Sequence, residues 1–232
     1  ALDLNPDREG WVQEAEILRS MGRAKAGARD WQGAKALSEL ALGVLQTNPG
    51  AREFDPARRA SRDLVDSICT DLVLLESERF HDCDSLVVAA EKWRELRSGL
   101  SRIRYGDLDG AVRRCVGSRA WIPGNALVIQ HIVTPERTIV VAMDSAGMTY
   151  RSIPVSGDEL AREIAAFVDA AGTATNVARA ATGAAGTIAD SAVALAKARS
   201  LYRLLIEPVS PLIEGKDVLC FVSDEVLRDL PF

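Results

Sequence analysis

Val218-Leu219-Cys220-Phe221-Val222 is an unbroken apolar run, set between a Gly215-Lys216-Asp217 turn and the polar Ser223-Asp224-Glu225. An apolar run of this length without alternation predicts a strand buried on both faces, as in a parallel sheet. Ahead of it, Leu201-Tyr202-Arg203-Leu204-Leu205-Ile206-Glu207-Pro208 reads as a helix end running into a proline stop. Behind it comes Ser223-Asp224-Glu225-Val226-Leu227-Arg228-Asp229-Leu230-Pro231-Phe232. A doubly buried strand needs a neighbour on each side, and no later strand follows in these residues. The sheet either continues in sequence outside them or ends at an exposed edge, and the expectation taken forward is continuation.

Working back from this strand, a helix is expected from about Asp190-Ser191, with Ala194, Ala198, Leu201 and Leu205 on one face. Residues 171–189 are mostly Ala, Gly and Thr, side chains too small to bury much area, and read as a flexible loop open to proteolysis. Ser156-Gly157-Asp158-Glu159 is a capping box that opens a helix through Leu160, Ile164, Phe167 and Val168 to about Ala170. Three strands precede it: 126–134, 138–143 and 148–155. They form an antiparallel meander with turns at Pro135-Glu136-Arg137 and Asp144-Ser145-Ala146-Gly147, and Pro154 marks an edge. The proline–glycine break Trp121-Ile122-Pro123-Gly124 separates this part, residues 125–232, from residues 1–121.

Residues 1–121 show helical spacing and no strand alternation. Leu18, Met21 and Gly22 fall in one helix, Asp30-Trp31 at a turn, Ala34 and Ala41 in a second helix, and Asn48-Pro49 ends it. Small residues at such positions let two helix backbones approach. Leu64, Ile68, Leu72 and Leu75 form the stripe of a third helix, and Leu86, Ala90, Trp93 and Leu96 that of a fourth, with Asp82, Asp84 or Ser85 as its cap. Arg104-Tyr105-Gly106-Asp107-Leu108-Asp109-Gly110-Ala111 reads as a further inter-helix turn. A lone helical pair cannot bury its apolar face, so pairs must stack, and the concave side of a stack is a binding surface for a peptide or protein partner. Arg23, Lys25, Arg29, Lys35, Arg58, Arg59 and Arg62 are candidates to line it, although each also fits a solvated helix face. Trp31, Trp93 and Trp121 read as packing anchors.

With 232 residues, the chain has room for one or two domains with their own cores. Its net charge of −5 gives no electrostatic case for nucleic acid or an anionic membrane. No apolar run approaches the roughly 20 residues of a membrane span. Cys69, Cys83, Cys115 and Cys220 are scattered, and His81 and His131 are the only histidines. This distribution argues against a zinc site and for a reduced, cytoplasmic protein with no metal and no cofactor. His81-Asp82-Cys83 reads as a helix-start loop rather than a metal or catalytic pair. Phosphate-loop, dinucleotide and HExxH signatures are absent from the sequence.

The run from Leu201 to Phe232 resembles the middle of a CHAT domain, the caspase-like module often found behind tetratricopeptide repeats. Tyr202, Leu204, Leu205, Pro208, Asp224, Leu227, Leu230, Pro231 and Phe232 match that family's pattern, while Ser223 and Glu225 replace its usual proline and glycine. The likeness extends from about Asn125 to Phe232. A generic helix–strand unit of an α/β domain is the alternative source of the same run. The resemblance implies a two-part α+β chain: tetratricopeptide-like hairpins, then the front half of a caspase-like α/β sheet. It also implies a cysteine endopeptidase acting on protein substrates, whose helical region recognises a partner or holds the peptidase inactive.

In that family the catalytic histidine and cysteine both lie beyond the Leu-Pro-Phe motif, so no catalytic residue is expected in this chain and it should be inactive alone. Cys220 reads as a buried apolar strand residue, His131 as a packing or edge residue of the first strand, and Cys69 and Cys115 as core. The competing expectation is a non-catalytic scaffold whose helical groove does the work.

Overall fold

The computed structural model describes residues 10–47, 59–98, 119–180, 186–228 and 230, with the side chains of 46–47, 59–62, 95–98, 173–180 and 186–191 outside that description. Helices and a four-stranded mixed sheet make up the described chain, which divides into units 1–118 and 119–232. The expected turns at Asn48-Pro49 and 104–111, as well as Arg58, Cys115, Pro231 and Phe232, lie outside the described residues.

The first unit contains α1 (Gly10–Gly27), α2 (Trp31–Thr47), α3 (Arg59–Leu75) and α4 (Cys83–Ser98), each packed on the one before it. The small residues act as expected: Ala15, Gly22, Ala34, Ser38 and Ala41 are all buried. A Cβ at Gly22 would stand 3.3 Å from both the Ala34 carbonyl and Ser38 Oγ, so the α1–α2 crossing has no room for a larger side chain. Asp30 caps α2, accepting the Gly33 N–H at 3.0 Å, and Arg29 before it takes the left-handed conformation that closes α1. The α3 stripe is buried at Leu64, Ile68 and Leu72. Trp93 is a packing anchor as expected, and its indole N–H donates to Asp66 Oδ1 at 2.7 Å, tying α4 to α3. Trp121 is not one: 55% of its surface is exposed.

Sequence periodicity did not anticipate the π-helical turn Glu76–Phe80 that extends α3. Its five residues look like one more helical turn, but tertiary contacts set the wider winding. Glu76 is driven into the interior, where Lys35 of α2 meets it at 2.5 Å, and the Lys35 ammonium also lies 5.2 Å from the Phe80 ring centre. Burial pushes the Glu76 carboxyl above its usual range, while Lys35 pulls it back down. His81 then turns left-handed, and Asp82 caps α4 by accepting the Asp84 and Ser85 N–H groups and the Ser85 hydroxyl. The cap is therefore Asp82, the first of the three candidates.

In the second unit, β1 (Ala126–Val133), β2 (Thr138–Met143) and β3 (Met148–Ile153) form the expected meander, and β4 (Val218–Val222) adds parallel to β1, giving the order β3-β2-β1-β4. The turns are made by side chains: Thr134 Oγ1 brackets Arg137, and Asp144 Oδ1 accepts the Ala146 and Gly147 N–H groups. The capping box holds, with the Glu159 N–H on Ser156 Oγ and Glu159 Oε2 accepting from the Ser156 N–H and hydroxyl.

The flexible loop expected over 171–189 is corrected. Helix α5 runs Gly157–Ala180 and α6 Gly186–Leu205, leaving only 181–185 outside the described residues. Alanine buries little area but is the best helix former, and local propensity wins where no competing turn signal exists. Leu160, Ile164, Leu201 and Leu205 of the two helices pack with Val133 and Leu227 into one core cluster.

Two substitutions test these joints by urea unfolding. Gly22→Leu should cost about 1–3 kcal/mol by overpacking the α1–α2 crossing, whereas an effect near zero would mean that the helices do not meet there. Lys35→Met should cost about 3–5 kcal/mol by stranding the Glu76 charge, and Lys35→Met with Glu76→Met should recover most of that loss.

Candidate functional site

The first unit offers a groove of about 200 Å³ between α1, α2, α3 and the π turn, bordered by Gly22, Arg23, Trp31, Asp71, Leu75 and Arg79. It exists because α1 and α2 cross over Gly22, and because the π turn swings Arg79 back over α2. The Arg79 guanidinium lies 4.4 Å from the Trp31 ring centre, a cation–π contact that flattens one wall. Asp71 of α3, which borders the groove, is held by Arg19 of α1 at 2.8 Å. The lining thus combines the cations Arg23 and Arg79 and the anions Asp71 and Glu78 with apolar residues such as Trp31 and Leu75, and can meet both charged and apolar groups.

Of the expected cations whose side chains are described, the structure places only Arg23 in the groove. Lys25 binds Asp30 at 2.9 Å and holds that carboxyl below the usual range, helped by the Gly33 N–H. Lys35 is committed to Glu76, Arg29 sits at the helix stop, and the side chains of Arg59 and Arg62 lie outside the described residues. Sequence reading missed Arg79 and Asp71. Arg79 depends on a π turn that periodicity does not reveal, while Asp71 could have been found as a charge inside the third helix's otherwise apolar stretch.

In the second unit the decisive feature is the edge made by β4. The expectation that this strand is buried on both faces is overturned. Val218 is 51% and Leu219 38% exposed, Cys220 is exposed, and Phe221 and Val222 are half-buried. Every residue of β1 and β2 is buried. The physical reason is position: β4 pairs with β1 alone and ends the sheet among the described residues, so its outer side meets no strand. Cys220 is likewise not the buried apolar residue that was expected.

Strand pleating separates the two groups that a thiol peptidase would bring together. Cys220 is opposite Val128, and Phe221 opposite Ile129. His131 shares the face of Ile129, two residues on, so its imidazole and the Cys220 thiol lie on opposite faces of the sheet. His131 is fully buried, its ring parallel to that of Phe221 with centres 6.5 Å apart. Its Nε2–H donates to the Leu205 carbonyl at 3.1 Å, an assignment the acceptor dictates because a carbonyl cannot donate. Burial lowers its pKa below 6.5, against smaller upward effects of the Leu205 carbonyl and Asp224. This is a structural imidazole, held neutral.

The motif residues around β4 are mainly structural. Leu205 and Leu227 are buried, Leu204 and Leu230 pack against them, and Tyr202 is half exposed. Asp224 Oδ2 accepts the Val133 N–H at 3.4 Å, where the chain leaves β4. Glu225, standing where glycine is usual in the resembled pattern, begins a short 3₁₀ turn, Glu225–Leu227, and takes no left-handed conformation. The missing glycine therefore costs no backbone strain. Among the described residues, no group of three or more His, Cys, Asp or Glu side chains could hold a metal ion, and no helix is long and apolar enough to cross a membrane.

The buried neutral imidazole carries a pH signature. The unfolded chain takes up a proton near pH 6.5 and the folded chain only at lower pH, so stability is full above 6.5 and falls as pH drops through that value. Urea midpoints measured between about pH 7.5 and 5.5 should fall in the wild type and fall less in His131→Gln; equal slopes would contradict a buried, neutral His131.

No family model, no curated protein and no solved structure matches this chain significantly, so the arrangement of its own residues carries the functional reading.

Proposed function

We propose that this chain is the recognition region and the opening half of the catalytic layer of a repeat-regulated, caspase-like cysteine peptidase. The observation that supports this most is the β4 edge. An antiparallel meander, two helices and then a parallel apolar strand lead to an open side, where a caspase-like layer would continue. The tetratricopeptide-like reading of the first unit is supported by successive helices crossing over Gly22, Ala34 and Ala41. On this reading the groove beside Trp31 and Arg79 receives a protein or peptide partner, and the peptidase acts on a protein substrate. Cys220 and His131 do not form a nucleophile–base pair: they face away from each other across the sheet, and the imidazole is committed to Leu205.

The test is thiol-dependent peptide cleavage by residues 1–232, compared with the complete reading frame that encodes them. Residues 1–232 should cleave nothing in a peptide library above the buffer control, and labelling of Cys220 by iodoacetamide should proceed at the same rate in His131→Gln. The complete reading frame should be active. Cleavage by residues 1–232 that is lost in Cys220→Ala would contradict the proposal, as would absence of activity in both proteins.

A further inference from the structure

We infer that the groove of the helical unit takes an acidic peptide segment, one carboxylate lying between Arg23 and Arg79 and a neighbouring apolar side chain along Trp31 and Leu75. The inference rests on the reading of this groove as a partner site and names the partner's chemistry. Four charged side chains border the groove: Arg23, Asp71, Glu78 and Arg79. They are not equally available. Asp71 is taken by Arg19 at 2.8 Å, in a pair largely shielded from water. Glu78 has an interaction of its own. Arg23 is exposed and has no carboxylate partner among the described residues. Arg79 is likewise without a carboxylate, and its recorded contact is with the Trp31 ring, 4.4 Å from the ring centre. A ring face carries no lone pair, so the guanidinium's N–H donors keep their demand for an oxygen acceptor.

Charge complementarity then selects the occupant. A carboxylate offers an oxygen to each guanidinium, and hydrogen bonds between ionised groups are stronger than neutral ones. The Trp31 contact holds Arg79 in place beforehand, so less side-chain freedom is lost on binding. Glu78 limits the ligand in turn. A second carboxylate in the groove would meet its like charge, so an acidic residue among apolar ones fits better than an acidic run. The apolar part of the lining, including Ala26, Leu74 and Leu75, receives the neighbouring aliphatic or aromatic side chain. Size points to a peptide. At about 200 Å³ the groove is smaller than the roughly 300–1,000 Å³ pockets that enclose small ligands, so it seats part of a longer chain.

The test is a phage-displayed random peptide library panned on the 232-residue chain. Selected peptides should carry Asp or Glu beside an aliphatic or aromatic residue, and their synthetic forms should bind, by fluorescence anisotropy, with a Kd that rises with salt. Changing the acidic residue to its amide should weaken binding about tenfold or more. Arg23→Glu should weaken it as much and leave the circular dichroism spectrum unchanged, because the position is exposed. Arg79→Gln is a second, independent variant with the same expected loss. Ala26→Trp, which fills the groove, locates the binding whatever the ligand's charge. Neutral or basic peptides, or acidic ones indifferent to both arginine variants, whose binding is lost in Ala26→Trp would overturn this inference and leave the groove reading standing. No binding peptide, or peptides indifferent to all three variants, would overturn both.

Discussion

The parallel ladder between β1 and β4 is the constraint on which the second unit depends. It ties the residues after α6 to the meander in register, Ala126 with Val218 through Gln130 with Val222, and so brings the two ends of the unit together. Lys216 reinforces the start of the ladder by binding Asp144 at 2.9 Å and holding that carboxylate below its usual range; Asp224 reinforces its far end. The same ladder makes β4 the last strand of the sheet among the described residues. A strand of Val, Leu, Cys, Phe and Val is suited to burial, yet the structure puts it where burial is half complete. That mismatch between composition and position sets β4 apart from the fully buried β1 and β2.

The helical unit meets a different constraint. Its first two helices approach over Gly22, Ala34, Ser38 and Ala41, and a Cβ at Gly22 would already stand 3.3 Å from the Ala34 carbonyl and Ser38 Oγ. The buried Lys35–Glu76 pair adds specificity rather than a large net gain, because removing two charges from water offsets much of their attraction. Its consequence is geometric. With Glu76 drawn inward, the chain winds wide through Phe80, and Arg79 is carried onto Trp31.

Much of this architecture was legible in the residues. The meander, the capping box at Ser156, the α3 stripe and the β4 strand follow from periodicity and turn chemistry, which are local. What failed was tertiary. Apolar content of Val218–Val222 predicts burial, but the number of neighbouring strands is a property of the sheet and not of the strand. The alanine-rich stretch after Ala170 reads as a loop if burial is the criterion, and as helix if propensity is; here propensity governs. The groove was only partly legible, since Arg23 was anticipated while Arg79 depends on the π turn. The separation of His131 from Cys220 becomes visible only once register is known, because a shift of one residue exchanges faces.

The open edge can be probed at single amides. Hydrogen exchange of the 232-residue chain, resolved along β4 and β1, tests it most directly. The account predicts that β1 amides, paired on both sides, exchange slowly throughout and that β4 as a whole exchanges faster than β1. Protection of every β4 amide to the level of β1 would mean that β4 is an interior strand, and would contradict the account at its centre.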